Sequence, residues 1–319
     1  MPRRSVFRTT STLSTVVVHD VAVAAGSDRQ MVTAADGRTL SFAEWGDLGG
    51  FPVFTLHGTP GSRFSRHYDE SVYVEVGARV ITYDRPGYGG SDRDRGRQVV
   101  DCVADVTAIA DTLGVERFAV LGGSGGGPHC LAVAARLPER VTRATCAVGI
   151  APYGTADFDW FEGMDPLNVK EFGWALAGED VLVGELEREA AEALERVAAD
   201  PSKLFGDDWQ LSEADRAELA RPERQDVIRQ AVSEAFREGV WGWVDDGLCF
   251  TQPWGFDVAE IRIPIRVNYG LTDVLVPWQH GEWLARNIPN AETVIEEHGG
   301  HVPDPDVIAD AYGWLVQPV

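Results

Sequence analysis

Lysine is almost missing from this chain: only Lys170 and Lys203 occur in 319 residues, so arginine supplies nearly all of the positive charge. Positive charge as a whole is scarce, with 28 basic residues against 50 acidic ones and a net charge of −22. Such a surplus repels the phosphates of nucleic acids and of anionic membranes, which excludes both as partners. Cysteine is sparse too. Cys102, Cys130, Cys146 and Cys249 are too widely spaced for a metal-ligand pattern, and Cys130 and Cys146 fall in apolar runs. They read as reduced core residues of a cytoplasmic protein, and no metal is implied. No run approaches the ~18 apolar residues of a membrane span, and internal repeats and low-complexity segments are missing. Arg3, Arg4 and a hydroxyl-rich stretch precede Val16, Val17 and Val18, an apolar run too short for a signal peptide. Residues 1–27 are therefore expected to form an N-terminal arm.

The remainder has the apolar content of an ordinary globular chain, 44%, and enough length for a large α/β domain with an insertion. Segments 29–34 and 38–45 read as a hairpin around Asp36-Gly37. Apolar strands follow at 52–56, 79–83, just before Ser124, and at 144–148, 265–269 and 293–297, giving eight strands in all. Helical patterns separate them at 65–76, 99–113, 128–136 and 278–287, with a closing helix over 304–315. Alternation of this kind, with near-continuously apolar strands, predicts a mostly parallel sheet covered on both faces. The alternation stops between 151 and 256, where helical patterns at 184–199 and 223–238 and acidic stretches at 185–195 and 207–218 predict a helical insertion. The expected division is thus a core over 28–150 and 257–319 and an inserted unit over 151–256.

Within the fifth strand and its turn, Val120-Leu121-Gly122-Gly123-Ser124-Gly125-Gly126-Gly127-Pro128 places a serine between glycines at minus two and plus two. A strand that must reverse sharply into a helix has no room there for flanking Cβ atoms. Ser124 then projects beside a helix N-terminus, whose free N–H groups face it. A neutral hydroxyl needs a base to become a nucleophile. His301, in the glycine-rich loop after the last strand, is the expected base, with His298 as the alternative. Asp273, in the loop after the penultimate strand, is expected to hold the imidazole tautomer. The backbone N–H groups of Thr59 and Gly125 are the expected oxyanion donors, because Pro60 has none to offer. His57 is expected to brace its own loop, and His129 to pack at the start of a helix.

Five motifs occur in order: H-G-T-P-G from His57, D-R-P-G-Y-G-G-S from Asp84, G-G-S-G-G-G from Gly122, G-L-T-D from Gly270 and G-G-H from Gly299. Together they resemble the α/β-hydrolase family, in particular its cap-bearing serine hydrolases of the esterase and proline-iminopeptidase-like branch, over residues 29–317. The resemblance implies an eight-stranded, mostly parallel sheet with its second strand antiparallel and a helical cap inserted after the sixth strand. It implies a small-molecule substrate held between cap and sheet, with Tyr153, Trp160, Phe161, Trp241, Trp243 and Val302 as candidate wall residues. The stretch from Asp84 to Ser91 is similar to a loop of epoxide hydrolases and haloalkane dehalogenases, which carry aspartate where Ser124 stands. Proline iminopeptidases usually carry a second glycine in place of Thr59 and an aromatic in place of Gly125. The expected activity is cofactor-free cleavage of a carboxylic ester, lactone or thioester through an acyl-enzyme. Aminopeptidase action, carbon–carbon bond hydrolysis and a diverted cyclase, lyase or ligand receptor are the alternatives, and a homo-oligomer is left open.

Overall fold

Asp36 and Gly37 close the first hairpin because Gly37 takes a left-handed conformation (φ 92°) that an ordinary side chain resists. The computed structural model describes residues 29–155 and 157–318; the expected N-terminal arm lies outside them. The strands are β1 (Gln30–Thr33), β2 (Thr39–Gly46), β3 (Phe51–Leu56), β4 (Ala78–Tyr83), β5 (Phe118–Gly123), β6 (Val141–Ala147), β7 (Ile265–Gly270) and β8 (Ala291–Glu296). They form one sheet in the order β1-β2-β4-β3-β5-β6-β7-β8. Strand β2 pairs antiparallel with both neighbours, and the pairs from β4 through β8 are parallel.

Both faces of the sheet are buried, as the apolar runs predict. Alternate residues of one strand point to opposite faces, so Phe54 and Ile81 join one apolar cluster while their neighbours Val53 and Val80 join another. The first cluster packs helices α2 (Cys102–Thr112) and α3 (Gly126–Arg136) through Val106, Ile109, Leu131 and Val133. Tyr73 of α1 (Ser71–Val76) belongs to the second cluster. The expected helix over 65–76 is real only in its last part. Upstream, the hydroxyls of Ser62 and Ser65 bond to backbone N–H groups within the turn, and Asp69 accepts from Ser71 N at 2.9 Å. Such side chains offer the backbone an alternative to helical bonding.

Between β6 and β7 come α4 (Pro166–Ala177), α5 (Glu179–Ala199), α6 (Glu213–Leu219), α7 (Gln225–Ala235) and α8 (Trp241–Phe250). Their own apolar cluster joins Leu182, Leu186, Val232 and Val244, and it reaches the core through Tyr88. The chain closes with α9 (Trp278–Asn287) and α10 (Pro305–Leu315), whose Tyr312, Trp314 and Leu315 complete the second face. Among the described residues no helix is long and apolar enough to cross a membrane.

Candidate active site

Ser124 stands between β5 and α3 with φ 52°, a left-handed conformation that costs a non-glycine residue about 1–3 kcal/mol. The turn is held by Ser124 N donating to Ala147 O at 2.9 Å and Gly127 N donating to Ser124 O at 2.8 Å. A Cβ on Gly122 would come within 2.2 Å of Gly126 O, and one on Gly126 within 2.1 Å of Leu56 O. Glycine is therefore required by backbone contact at both motif positions.

The loop after β8 brings His301 Nε2 to 2.9 Å from Ser124 Oγ. Its Nδ1 lies 2.8 Å from Asp273 Oδ2, while Asp273 Oδ1 accepts from Leu275 N and Val276 N at 2.8 and 2.9 Å. An acceptor at Nδ1 places the imidazole proton there and leaves Nε2 to accept from the serine hydroxyl. Burial lowers the His301 pKa, but the Asp273 carboxylate, its hydrogen bond and the charge of Asp215 outweigh that and raise it above the ordinary 6.5. His298, the alternative base, is exposed to solvent and no hydrogen bond ties it to Ser124 or Asp273.

Thr59 and Gly125 are adjacent: a Cβ on Gly125 would lie 2.2 Å from Thr59 Oγ1 and 3.2 Å from Phe250 Cζ. That crowding is why no aromatic can follow the serine in this chain. His57 and His129 are both buried and neutral. The His57 pKa is held well below 6.5 by burial and by Arg85; its Nδ1 donates to Gly58 O at 2.7 Å and its Nε2 accepts from Arg85 N at 3.2 Å. Burial, with Arg85 adding to it, brings His129 down to about 3, and its Nδ1 donates to Gly125 O at 2.9 Å.

Two cavities meet at Ser124 and His301. One, of about 180 Å³, is lined by Leu167, Phe172, Trp243 and Phe250 and also by Glu171. The other, of about 360 Å³, is lined by Tyr68, Ile228, Val302 and Tyr312. Of the expected wall residues, Trp243 lines the first cavity and Val302 the second, while Tyr153, Trp160, Phe161 and Trp241 line neither. Trp160 is instead a buried packing residue whose Nε1 donates to Ala151 O at 2.9 Å and whose ring meets Phe172 and His280 edge-on. Tyr153 and Phe161 pack against that ring. Trp241 lies under the Arg93 guanidinium, 4.2 Å from ring centre to Cζ.

The inserted helices contribute carboxylates that motif reading does not find. Asp215 of α6 is buried, accepts from Val302 N at 2.6 Å and so braces the His301 loop. A serine three residues ahead of it, Ser212, caps α6, which is a readable helix-start pattern. Asp246 of α8 is fully buried between Arg85 and Arg97, with oxygens 2.6 and 2.5 Å from their nitrogens. Its signal is an acidic pair, Asp245-Asp246, inside an otherwise apolar helix. Glu171 of α4 accepts from Trp243 Nε1 at 2.6 Å, and burial raises its pKa to about 7. His129, Asp246 and Cys249 come within 4.8 Å of one another, as metal ligands would. Two guanidiniums already neutralise Asp246, and burial keeps the Cys249 thiol protonated with a pKa of about 12, so this donor set does not suit a cation.

A sheet of this order with a serine at the β5–α3 turn defines an α/β hydrolase, and residues 52–303 match the alpha/beta hydrolase fold family, to which the chain belongs. It is 30% identical to the bifunctional esterase/perhydrolase of Acinetobacter calcoaceticus over 82% of its own length and 89% of that protein. It is 34% identical to a non-heme chloroperoxidase of Streptomyces lividans over 46% of its own length; the matched region spans about half of that relative, 54%. An enol-lactonase structure from Burkholderia xenovorans shares the fold at a TM-score of 0.62 and 21% identity, over 90% of this chain and 97% of that one.

Proposed function

We propose that this α/β hydrolase is a serine esterase that cleaves a carboxylic ester, lactone or thioester of a small, largely apolar substrate. The observation that carries the reading is the unbroken hydrogen-bond path from Ser124 Oγ through His301 to Asp273, opening on both cavities. Ser124 attacks the carbonyl carbon as His301 Nε2 takes its proton; Asp273 stabilises the imidazolium that results. The carbonyl oxygen becomes an oxyanion bound by the N–H groups of Thr59 and Gly125. His301 returns the proton to the leaving alcohol, and an acyl-enzyme remains. Water, deprotonated by His301, then releases the acid. Helices α4–α8 act as the cap over this site, and the mostly apolar cavity walls support a small, largely apolar substrate. The long match to an esterase/perhydrolase supports the ester class.

A second reading, cleavage of an amide next to a basic group, is favoured by one feature: the Glu171 carboxyl on the wall of the smaller cavity. A fluorophosphonate probe followed by peptide mapping tests the common mechanism, and a parallel screen of nitrophenyl esters and amino-acyl anilides separates the two readings. One adduct on Ser124, lost in His301→Ala, with turnover confined to esters is the expected result. Labelling elsewhere or not at all removes the acyl-enzyme, and turnover confined to anilides transfers the assignment to the amide.

A further inference from the structure

The loop that carries Thr59 is held from behind by charge. Arg85, fully buried, reaches it at three points: Nη1 donates to His57 O, and Nη2 donates to Gly58 O at 3.1 Å and to Thr59 Oγ1 at 2.9 Å. The Thr59 hydroxyl donates in turn to Asp246 Oδ2 at 2.5 Å, so this rotor has both its donor and an acceptor site engaged. Asp246 is itself fixed from several sides. Oδ2 also accepts from Arg85 Nη2 at 2.6 Å and Tyr88 OH at 2.9 Å, and Oδ1 accepts from Arg97 Nη2 at 2.5 Å.

Gly58 C=O and Thr59 N–H belong to one planar trans unit, so they point in opposite directions. Arg85 and His57 Nδ1 both hold Gly58 O, which turns the Thr59 N–H away from them. The Ser124 turn lies directly alongside this peptide, since a Cβ on Gly58 would stand 3.4 Å from Ser124 Cβ and 3.9 Å from its Oγ. Resting on the acyl-enzyme reading above, we infer that Asp246 of α8, acting with Arg85, is a positioning residue that aims the Thr59 N–H at the oxyanion. The oxyanion site is then completed from the inserted helices, 122 positions along the chain from Ser124. Asp246 touches no reacting atom.

The test uses Thr59→Val, Thr59→Ser and Asp246→Asn in the full chain, with kcat and KM on a p-nitrophenyl ester normalised to the sites that a fluorophosphonate labels at completion. A misaimed donor acts on the transition state, so Thr59→Val is expected to lower kcat per labelled site by about 10- to 100-fold with KM within about three-fold. Thr59→Ser, which retains the hydroxyl, is expected to recover at least about ten-fold of that loss, and the acidic limb of the pH profile stays in place because His301 is untouched. Asp246→Asn is expected to match or exceed the Thr59→Val effect; Thr59→Val decides the matter if that variant does not fold. The inference is overturned if Thr59→Val keeps kcat per labelled site within about two-fold of the parent, or if only the number of active sites falls. A parent enzyme that hydrolyses the ester without labelling Ser124 instead overturns the acyl-enzyme reading on which it rests.

Discussion

The loops at the ends of β3, β5, β7 and β8 and the helices α4–α8 meet around Ser124, but they contribute opposite kinds of chemistry. The loops present Thr59, Ser124, Asp273 and His301 at the cavities or directly behind them, in short motifs whose glycines answer to close backbone contacts. The insertion was expected to wall the site with Tyr153, Trp160, Phe161, Trp241 and Trp243, of which Trp243 does so, beside Phe172 and Phe250 of the same helices. The helices also bring buried carboxylate: Asp215 against the His301 loop, Asp246 against Arg85 and Arg97, and Glu234 against Arg63. A strand-end loop is too short to brace itself, and its free carbonyls and N–H groups need partners from outside the sheet. In this chain the insertion supplies them as ions.

The sharpest break between the two regions is removal of Ser124, the nucleophile of the proposed mechanism. Ser124→Ala is expected to lower kcat by on the order of 10⁴ or more while the fold and its cavities persist, which single-turnover kinetics and a melting curve check together. Asp273→Asn keeps the shape of the site but can present an amide N–H to His301; a loss approaching 10⁴ is expected in kcat. On the side of the braces, Arg63 is buried with Nη1 2.5 Å from Asp84 and 2.6 Å from Glu234. Arg63→Met leaves both carboxylates without that cation, and denaturant melts should show a loss of about 3–5 kcal/mol at neutral pH. Burial already raises the Asp84 pKa against the pull of Arg63. In the variant it rises further, so the folded state binds the extra proton and the deficit should shrink as pH falls below neutral.

A gentler test sits between the regions. On the proposed mechanism His301 acts as a base only when neutral, so kcat/KM should climb with pH through a midpoint above the ordinary ~6.5. Asp215 helps raise that pKa, and Asp215→Asn should move the acidic limb toward lower pH while its amide oxygen still accepts from Val302 N. An unmoved limb would mean that the helix carries no charge influence on the base. The smallest effect is expected from Tyr153→Ala and Trp241→Ala, whose side chains line neither cavity; kcat/KM should stay within about two-fold, and a larger fall would return these aromatics to the site.

The sheet was legible because its strands are short apolar runs separated by helical periodicity, a pattern that survives without any tertiary information. The site loops were legible for a different reason: glycine at 122 and 126 and the order of Ser124, Asp273 and His301 are constraints that leave few other residue types workable. Helices α4, α6 and α8 were not expected. The last contains two glycines and two aspartates in ten residues, poor helix formers that tertiary burial overrides. The expected helix over 65–76 failed in the opposite direction, where serine and aspartate side chains captured the backbone. The Ser212 cap and the Asp245-Asp246 pair mark helix positions, but nothing local tells which of the 50 acidic residues is buried against an arginine or a site loop.

By itself the amino-acid order determined the strand and helix alternation, the turn that exposes Ser124 and the loops from which Asp273 and His301 come. These follow from periodicity and from backbone space, both properties of a few neighbouring residues. Only the tertiary structure decided which aromatics face a cavity and which carboxylates are buried against arginines far away in the chain. Burial and ion pairing depend on what arrives from the opposite side, and residues of the acid-rich helices lie far along the chain from the loops around Ser124 that they meet.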